Sequence, residues 1–330
     1  MTRLVLLHGR DADGRDAETV EARWLAALGA GLASAGSPLR LTDDDATFVF
    51  YGDTLTPPDG GPRPPVTVHV RADPAAVPAV HGLSVDEARF ALSVAREVLA
   101  GAGRTAQASA VGPFEGSTVG LGTSVADALA RALVAALAAI DRLVPGLSGA
   151  VVLLLARDVH TYLHDDETRA AVRAGLEKAL PTDEPVVLVA HSLGSVVAYD
   201  VLRRADPQSR TMPLLLTLGS PLGIEAVRSA LEADGPLTWP PVERWVNARD
   251  PRDALALHGL TPESFPLPDG PPPVEPLSVD NTAPWHHAAA ERRDDGTWGG
   301  YLASPRVAGV IAEGLGSARR ECDGGPTVAP

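Results

Sequence analysis

Apolar residues follow two rhythms along this chain. Short unbroken runs occur at Arg3–Leu7 (RLVLL), Thr47–Tyr51 (TFVFY), Val151–Leu155 (VVLLL), Val186–Ala190 (VVLVA), Leu214–Leu218 (LLLTL) and Glu243–Asn247 (ERWVN). Runs of this length predict strands buried on both faces. Val66–Val70 is a further candidate strand. Between the runs, apolar residues return at three- and four-residue spacing. In Ala17–Ala35, Val20, Trp24, Leu25, Leu28 and Leu32 share one stripe, and Gly36 stops the helix. Further helices are predicted at 84–100, 125–144, 165–180 (ended by Pro181), 192–204 and 306–315. Strands alternating with helices predict the α/β class: a mostly parallel central sheet flanked by helices.

The alternation fades between about 66 and 148. Pro57–Pro65 (PPDGGPRPP) reads as a loop, and Gly112–Gly122 as a glycine-rich connection. The helices of this insertion, which precedes the 186–190 strand, have two readings of equal standing: a lid, or packing helices on a sheet face. Pro266–Pro276 reads as a proline-rich loop. The expected organisation is one domain over 1–316 with a loose tail at 317–330.

Composition narrows the class. The formal charge of −14 opposes long-range attraction to nucleic acid or to anionic lipid surfaces. Cys322 is the only cysteine, which excludes an intramolecular disulfide and a cysteine metal site. The start, MTRLVLLHG, lacks the pattern of a secretory signal. The longest apolar stretch, Val125–Val144, is broken by Asp127, Arg131, Asp141 and Arg142, so no integral membrane segment is expected. A soluble, cytoplasmic protein is the simplest expectation.

The strongest chemical signal is Val186–Val197 (VVLVAHSLGSVV). A buried strand runs into Ala190–His191–Ser192–Leu193–Gly194 and then into a helix. This is a nucleophile elbow of the G-x-S-x-G kind, with alanine at the first glycine position. Small residues on either side of Ser192 let the backbone cross closely, and the helix N-terminus directs free N–H groups at a developing oxyanion. A serine that merely caps its helix is the alternative. A second oxyanion donor belongs on a loop after an early strand. His8–Gly9–Arg10 follows the first strand, so the expected oxyanion hole is the backbone N–H of Leu193 and of Arg10, with Gly9 allowing close approach of backbone to a substrate carbonyl.

With these residues in place, the chain resembles the α/β-hydrolase superfamily, in particular its lipase and esterase branch with the GPI-inositol deacylase-like proteins and DDHD-domain phospholipases. The resemblance is carried by HGR at 8–10, HSLGS at 191–195, LGSPLG at 218–223, N-x-x-D-P-x-D at 247–253 and a histidine before GYL at 300–302. It implies an eight-stranded, mostly parallel sheet, a Ser–His–acid triad, and neither metal nor cofactor. It further implies the chain order serine, acid, histidine.

Two aspartates follow the 243–247 strand. Asp253, followed by Ala-Leu-Ala, is preferred, and Asp250, closer to the strand end, is the alternate. His191 adjoins the serine and is expected to point away from it. His258 lies too close to Asp253 in the chain to swing back over the serine. That leaves His287, preferred, and His286, the alternate. The expected activity is hydrolysis of a small-molecule or lipid-like carboxylic ester through an acyl-enzyme. Acyl transfer, peptide or lactone chemistry on the same triad, and a non-catalytic interaction module of the same fold, are the alternatives.

Overall fold

The computed structural model describes residues 2–9, 16–42, 45–51, 83–103, 124–268 and 272–323. Six strands form one sheet: β1 (Arg3–Leu7), β2 (Ala46–Val49), β3 (Val186–His191), β4 (Leu214–Leu218), β5 (Trp245–Arg249) and β6 (Glu275–Ser278). Their order is β2-β1-β3-β4-β5-β6, and every neighbouring pair is parallel. Eight α-helices accompany them among the described residues: α1 (Ala17–Ser34), α2 (Val85–Gly101), α3 (Val125–Leu143), α4 (Gly149–His164), α5 (Asp166–Ala179), α6 (Leu193–Leu202), α7 (Glu225–Ala233) and α8 (Pro305–Asp323). The protein is of the α/β class. No described helix is long and apolar enough to cross a membrane.

The unbroken apolar runs have a simple cause. Successive strand residues point to opposite faces, and both faces are covered. Leu4, Leu6, Val187, Val189, Leu214, Leu216, Val246 and Ala248 pack with α1 and α8. Val5, Leu7, Val186, Leu188, Ala190, Leu215 and Trp245 pack with the other six helices. A strand in the middle of such a three-layer sandwich has no polar side to present.

Four elements depart from the sequence expectation. Val151–Leu155, expected as a strand, lies inside α4. Ser148 caps that helix through Ala150 N–H, and the Asp141 carboxylate accepts from Gly149 N–H. Because α4 is packed nearly all round, with Val152, Leu153, Leu155, Ala156, Val159 and Tyr162 buried, its apolar run carries no helical period. The polar Glu275–Ser278 forms the sheet-edge strand β6, where the first two and the last residues are exposed. The stretch around ERRDDGTWG folds into a short antiparallel hairpin, β7 (Glu291–Arg292) with β8 (Trp298–Gly299). The last helix starts near its expected position and runs on to Asp323. The Val66–Val70 candidate and the glycine-rich connection lie outside the described residues. In the 66–148 insertion, α2 and α3 bury Ala95, Val98, Leu99, Leu133, Leu137 and Ile140 in the main core.

This topology decides where a site can form. The chain leaves β1 in one direction to β2 and later returns to the other side of β1 with β3. Loops at the carboxyl ends of two strands that diverge in this way leave a crevice between them, where ligands of open α/β sheets bind. Gly9 follows β1 and Ser192 follows β3.

Candidate functional site

Ser192 sits between β3 and α6 with φ 51° and ψ −125°. A non-glycine residue at positive φ is strained and persists only where its surroundings hold it. Its N–H donates to the Leu218 carbonyl at 2.9 Å, and its own carbonyl accepts from both Ser195 N–H (2.9 Å) and Ser195 Oγ (2.5 Å). The Ser195 hydroxyl also meets Ser220 Oγ at 2.7 Å. The crossing at the elbow is tight. A Cβ on Gly194 would lie 2.4 Å from the His8 carbonyl, and one on Gly9 would lie 2.6 Å from Ser192 Cβ. Gly9 was expected to make room for a substrate; the close neighbour it accommodates is the elbow. Ser192 makes no side-chain cap to α6, so its hydroxyl is available elsewhere. It donates to His287 Nε2 at 2.9 Å.

The other ring nitrogen of His287 donates to Asp253, at 2.8 Å to Oδ2 and 3.0 Å to Oδ1. A carboxylate on Nδ1 places the proton there and leaves Nε2 as the acceptor. Asp253 is buried and accepts three further hydrogen bonds, from Leu255 N–H (3.0 Å), Ala256 N–H (3.2 Å) and the Tyr301 hydroxyl (2.6 Å). Serine, histidine and aspartate thus form one continuous hydrogen-bonded chain. No family model matches the chain, and no curated protein and no solved structure matches it either.

The two alternates lie behind that chain. Asp250 accepts from Asn281 N–H (2.7 Å) and from Arg252, whose guanidinium forks onto both its oxygens. Burial acts to raise the Asp250 carboxyl, yet Arg252 and Asn281 outweigh it and hold the group below its ordinary value. His286 turns its Nδ1 to the Asn281 carbonyl at 2.7 Å. Asn281 is fully buried and braces the loop from inside: Oδ1 accepts from Ala283 N–H and Nδ2 donates to the Ala288 carbonyl. Within this braced loop Trp285 and His286 both adopt left-handed backbone, at φ 59° and 56°. That turn directs successive rings to different partners. His258 is engaged elsewhere, with Nε2 2.9 Å from Glu97 of α2.

Of the two expected oxyanion donors, Leu193 opens α6, where a backbone N–H has no acceptor within the helix. Arg10 lies outside the described residues. Among those described, no cluster of three or more His, Cys, Asp and Glu is arranged to hold a metal.

Two histidines make contacts at the site that the sequence did not indicate. His191 does not simply point away: its Nε2–H donates to the His287 carbonyl at 2.7 Å. His8 accepts from Tyr51 N–H at Nε2 (3.0 Å), and its carbonyl accepts from the Tyr51 hydroxyl (2.6 Å), which pins the turn before Gly9. His8 stacks on Phe50 and Tyr51. The adjacency of each histidine to a site residue was the available signal, but its partners are remote in sequence. Both imidazoles are held neutral. Burial pushes His8 down to about 4, and burial first, then the His287 charge, pushes His191 well below its ordinary value.

The unfolded state binds these protons more readily than the folded one. Between pH 6.5 and 4 an unfolded His8 is protonated and the folded one is not, so stability falls as pH falls through that window. For His8 alone the expected loss from pH 7 to pH 5 is about 2 kcal/mol, and His191 acts in the same direction. Urea unfolding at the two pH values measures it; equal stability would show that these rings do not carry the dependence.

Proposed function

We propose that this chain is a serine hydrolase of the α/β-hydrolase kind that cleaves carboxylic esters through an acyl-enzyme. One observation carries the reading: a serine on a strained strand–helix turn donates to an imidazole that is oriented by a buried carboxylate. A capping serine has no need of that arrangement. Each part has a task. His287 Nε2 takes the Ser192 proton as Oγ attacks the acyl carbon. Asp253 keeps the Nδ1–H tautomer and stabilises the imidazolium that forms. The Leu193 N–H at the start of α6, with Arg10 N–H as its expected partner, meets the charge developing on the carbonyl oxygen. The imidazolium then returns its proton to the leaving alcohol, and water deacylates the serine by the same route. The resemblance to the lipase and esterase branch favours a hydrophobic or lipid-like ester.

The test is covalent. A fluorophosphonate probe should label the wild-type protein and leave Ser192→Ala unlabelled, read by intact mass. No labelling of folded wild type, or equal labelling of both proteins, overturns the enzyme reading. With labelling in hand, an ester series of increasing acyl length should show turnover of the longer chains. Turnover confined to short, water-soluble esters removes the support for a lipid-like substrate.

A further inference from the structure

We propose that Tyr301 is a positioning residue for the base, acting through Asp253 to hold the carboxylate aimed at His287. The inference rests on the serine-hydrolase reading. Tyr301 lies just after the β7–β8 hairpin and is completely buried. Its hydroxyl donates to Asp253 Oδ2 at 2.6 Å and accepts from Asp250 N–H at 3.1 Å. One hydroxyl thus ties the acid to the backbone at the end of β5. The ring is confined as well: a Cβ on Gly219, itself at φ 55°, would come within 2.9 Å of Tyr301 Cε2, 3.1 Å of Asp253 Oδ2 and 3.2 Å of His287 Nδ1. The absent side chain at Gly219 is what lets the ring, the carboxylate and the imidazole meet there.

The chemistry of the contact has a clear sense. Burial, and then the negative charge of Asp253, push the Tyr301 hydroxyl well up from its ordinary value, so it remains a donor at every working pH. A phenol donating to a carboxylate is a charge-assisted hydrogen bond, stronger than a neutral one. It holds Oδ2 in place 2.8 Å from His287 Nδ1 and shares the negative charge that Asp253 presents to the imidazole. Its other titratable neighbours are accounted for. Asp250 is paired with Arg252, and His191 lies with its ring centre 4.9 Å from that of His287 and 6.0 Å from that of Tyr301 and is neutral.

Removing the hydroxyl while keeping the ring tests this. The readout is the rate constant of inactivation by a fluorophosphonate, measured per labelled serine so that any loss of folded protein drops out. Tyr301→Phe should slow inactivation about tenfold to a hundredfold and move the acid limb of the pH–rate profile to higher pH. A carboxylate relieved of that donor keeps more of its negative charge facing the imidazolium. In an Asp253→Asn background the same substitution should change the rate less than about threefold, since contacting residues are not additive. An unchanged acid limb in Tyr301→Phe, or an equal loss in both backgrounds, overturns the proposal. Failure of the underlying reading looks different: wild type itself remains unlabelled, or Ser192→Ala is labelled.

Discussion

Replacing His287 with alanine is expected to lower ester turnover about 10⁶-fold: on the proposed reading it is the base, and losing the base of such a unit costs as much as losing its nucleophile. His287 Nε2 is the acceptor 2.9 Å from Ser192 Oγ, and His286 faces the Asn281 carbonyl instead. His286→Ala should therefore remove one ordinary hydrogen bond, costing about 1 kcal/mol of stability and less than about tenfold in turnover. Steady-state hydrolysis of an activated aryl ester measures both variants. Comparable losses in the two would mean that the loop rearranges and the roles are shared.

The second large effect concerns the acid. Asp253→Asn should lower kcat about 10⁴-fold. The amide keeps the volume but must present either its oxygen or its NH₂ group to His287. Leu255 N–H and Ala256 N–H already claim an acceptor on the same side, so the NH₂ turns to the imidazole and selects the wrong tautomer. Asp250→Asn leaves the chain through His287 untouched. Its cost falls on the Arg252 fork and the Asn281 bond, about 1 to 3 kcal/mol of stability, and shows in thermal or urea unfolding. The pair is decided by which substitution loses kcat at a pH where both proteins are folded.

How far the sequence can be read depended on whether the deciding contacts were local. β3, Ser192 and α6 are contiguous, so the run of valines and leucines ending at Ala-His-Ser-Leu-Gly already holds strand, turn and helix. The choice between Asp250 and Asp253, and between His286 and His287, is not local. It is made by positive φ at Trp285 and His286, by Asn281 bracing that loop, and by a tyrosine well downstream, none of which residue type or spacing encodes. Val151–Leu155 misled for a different reason: a helix packed among other helices needs no wide polar stripe, and its period fades. β6 escaped notice from the opposite cause. As an exposed edge it needs little apolar character, and Glu275 there pairs with Arg244 rather than with a core.

The sheet order also sets a timetable for synthesis. β1 emerges from the ribosome first, but its partner on the elbow side is β3, with Arg3 in register with Val186. At ordinary elongation rates of about 5 to 20 residues per second, that strand waits roughly 10 to 40 seconds for the edge it will occupy. Until then that side of Leu4–Leu7 lacks its native partner. Asp253, His287 and Tyr301 arrive later still, so on the proposed reading the strand–helix turn at Ser192 is made before the groups that would activate it. On that reading the Ser192 hydroxyl stays inert until the stretch carrying His287 and Tyr301 has been made.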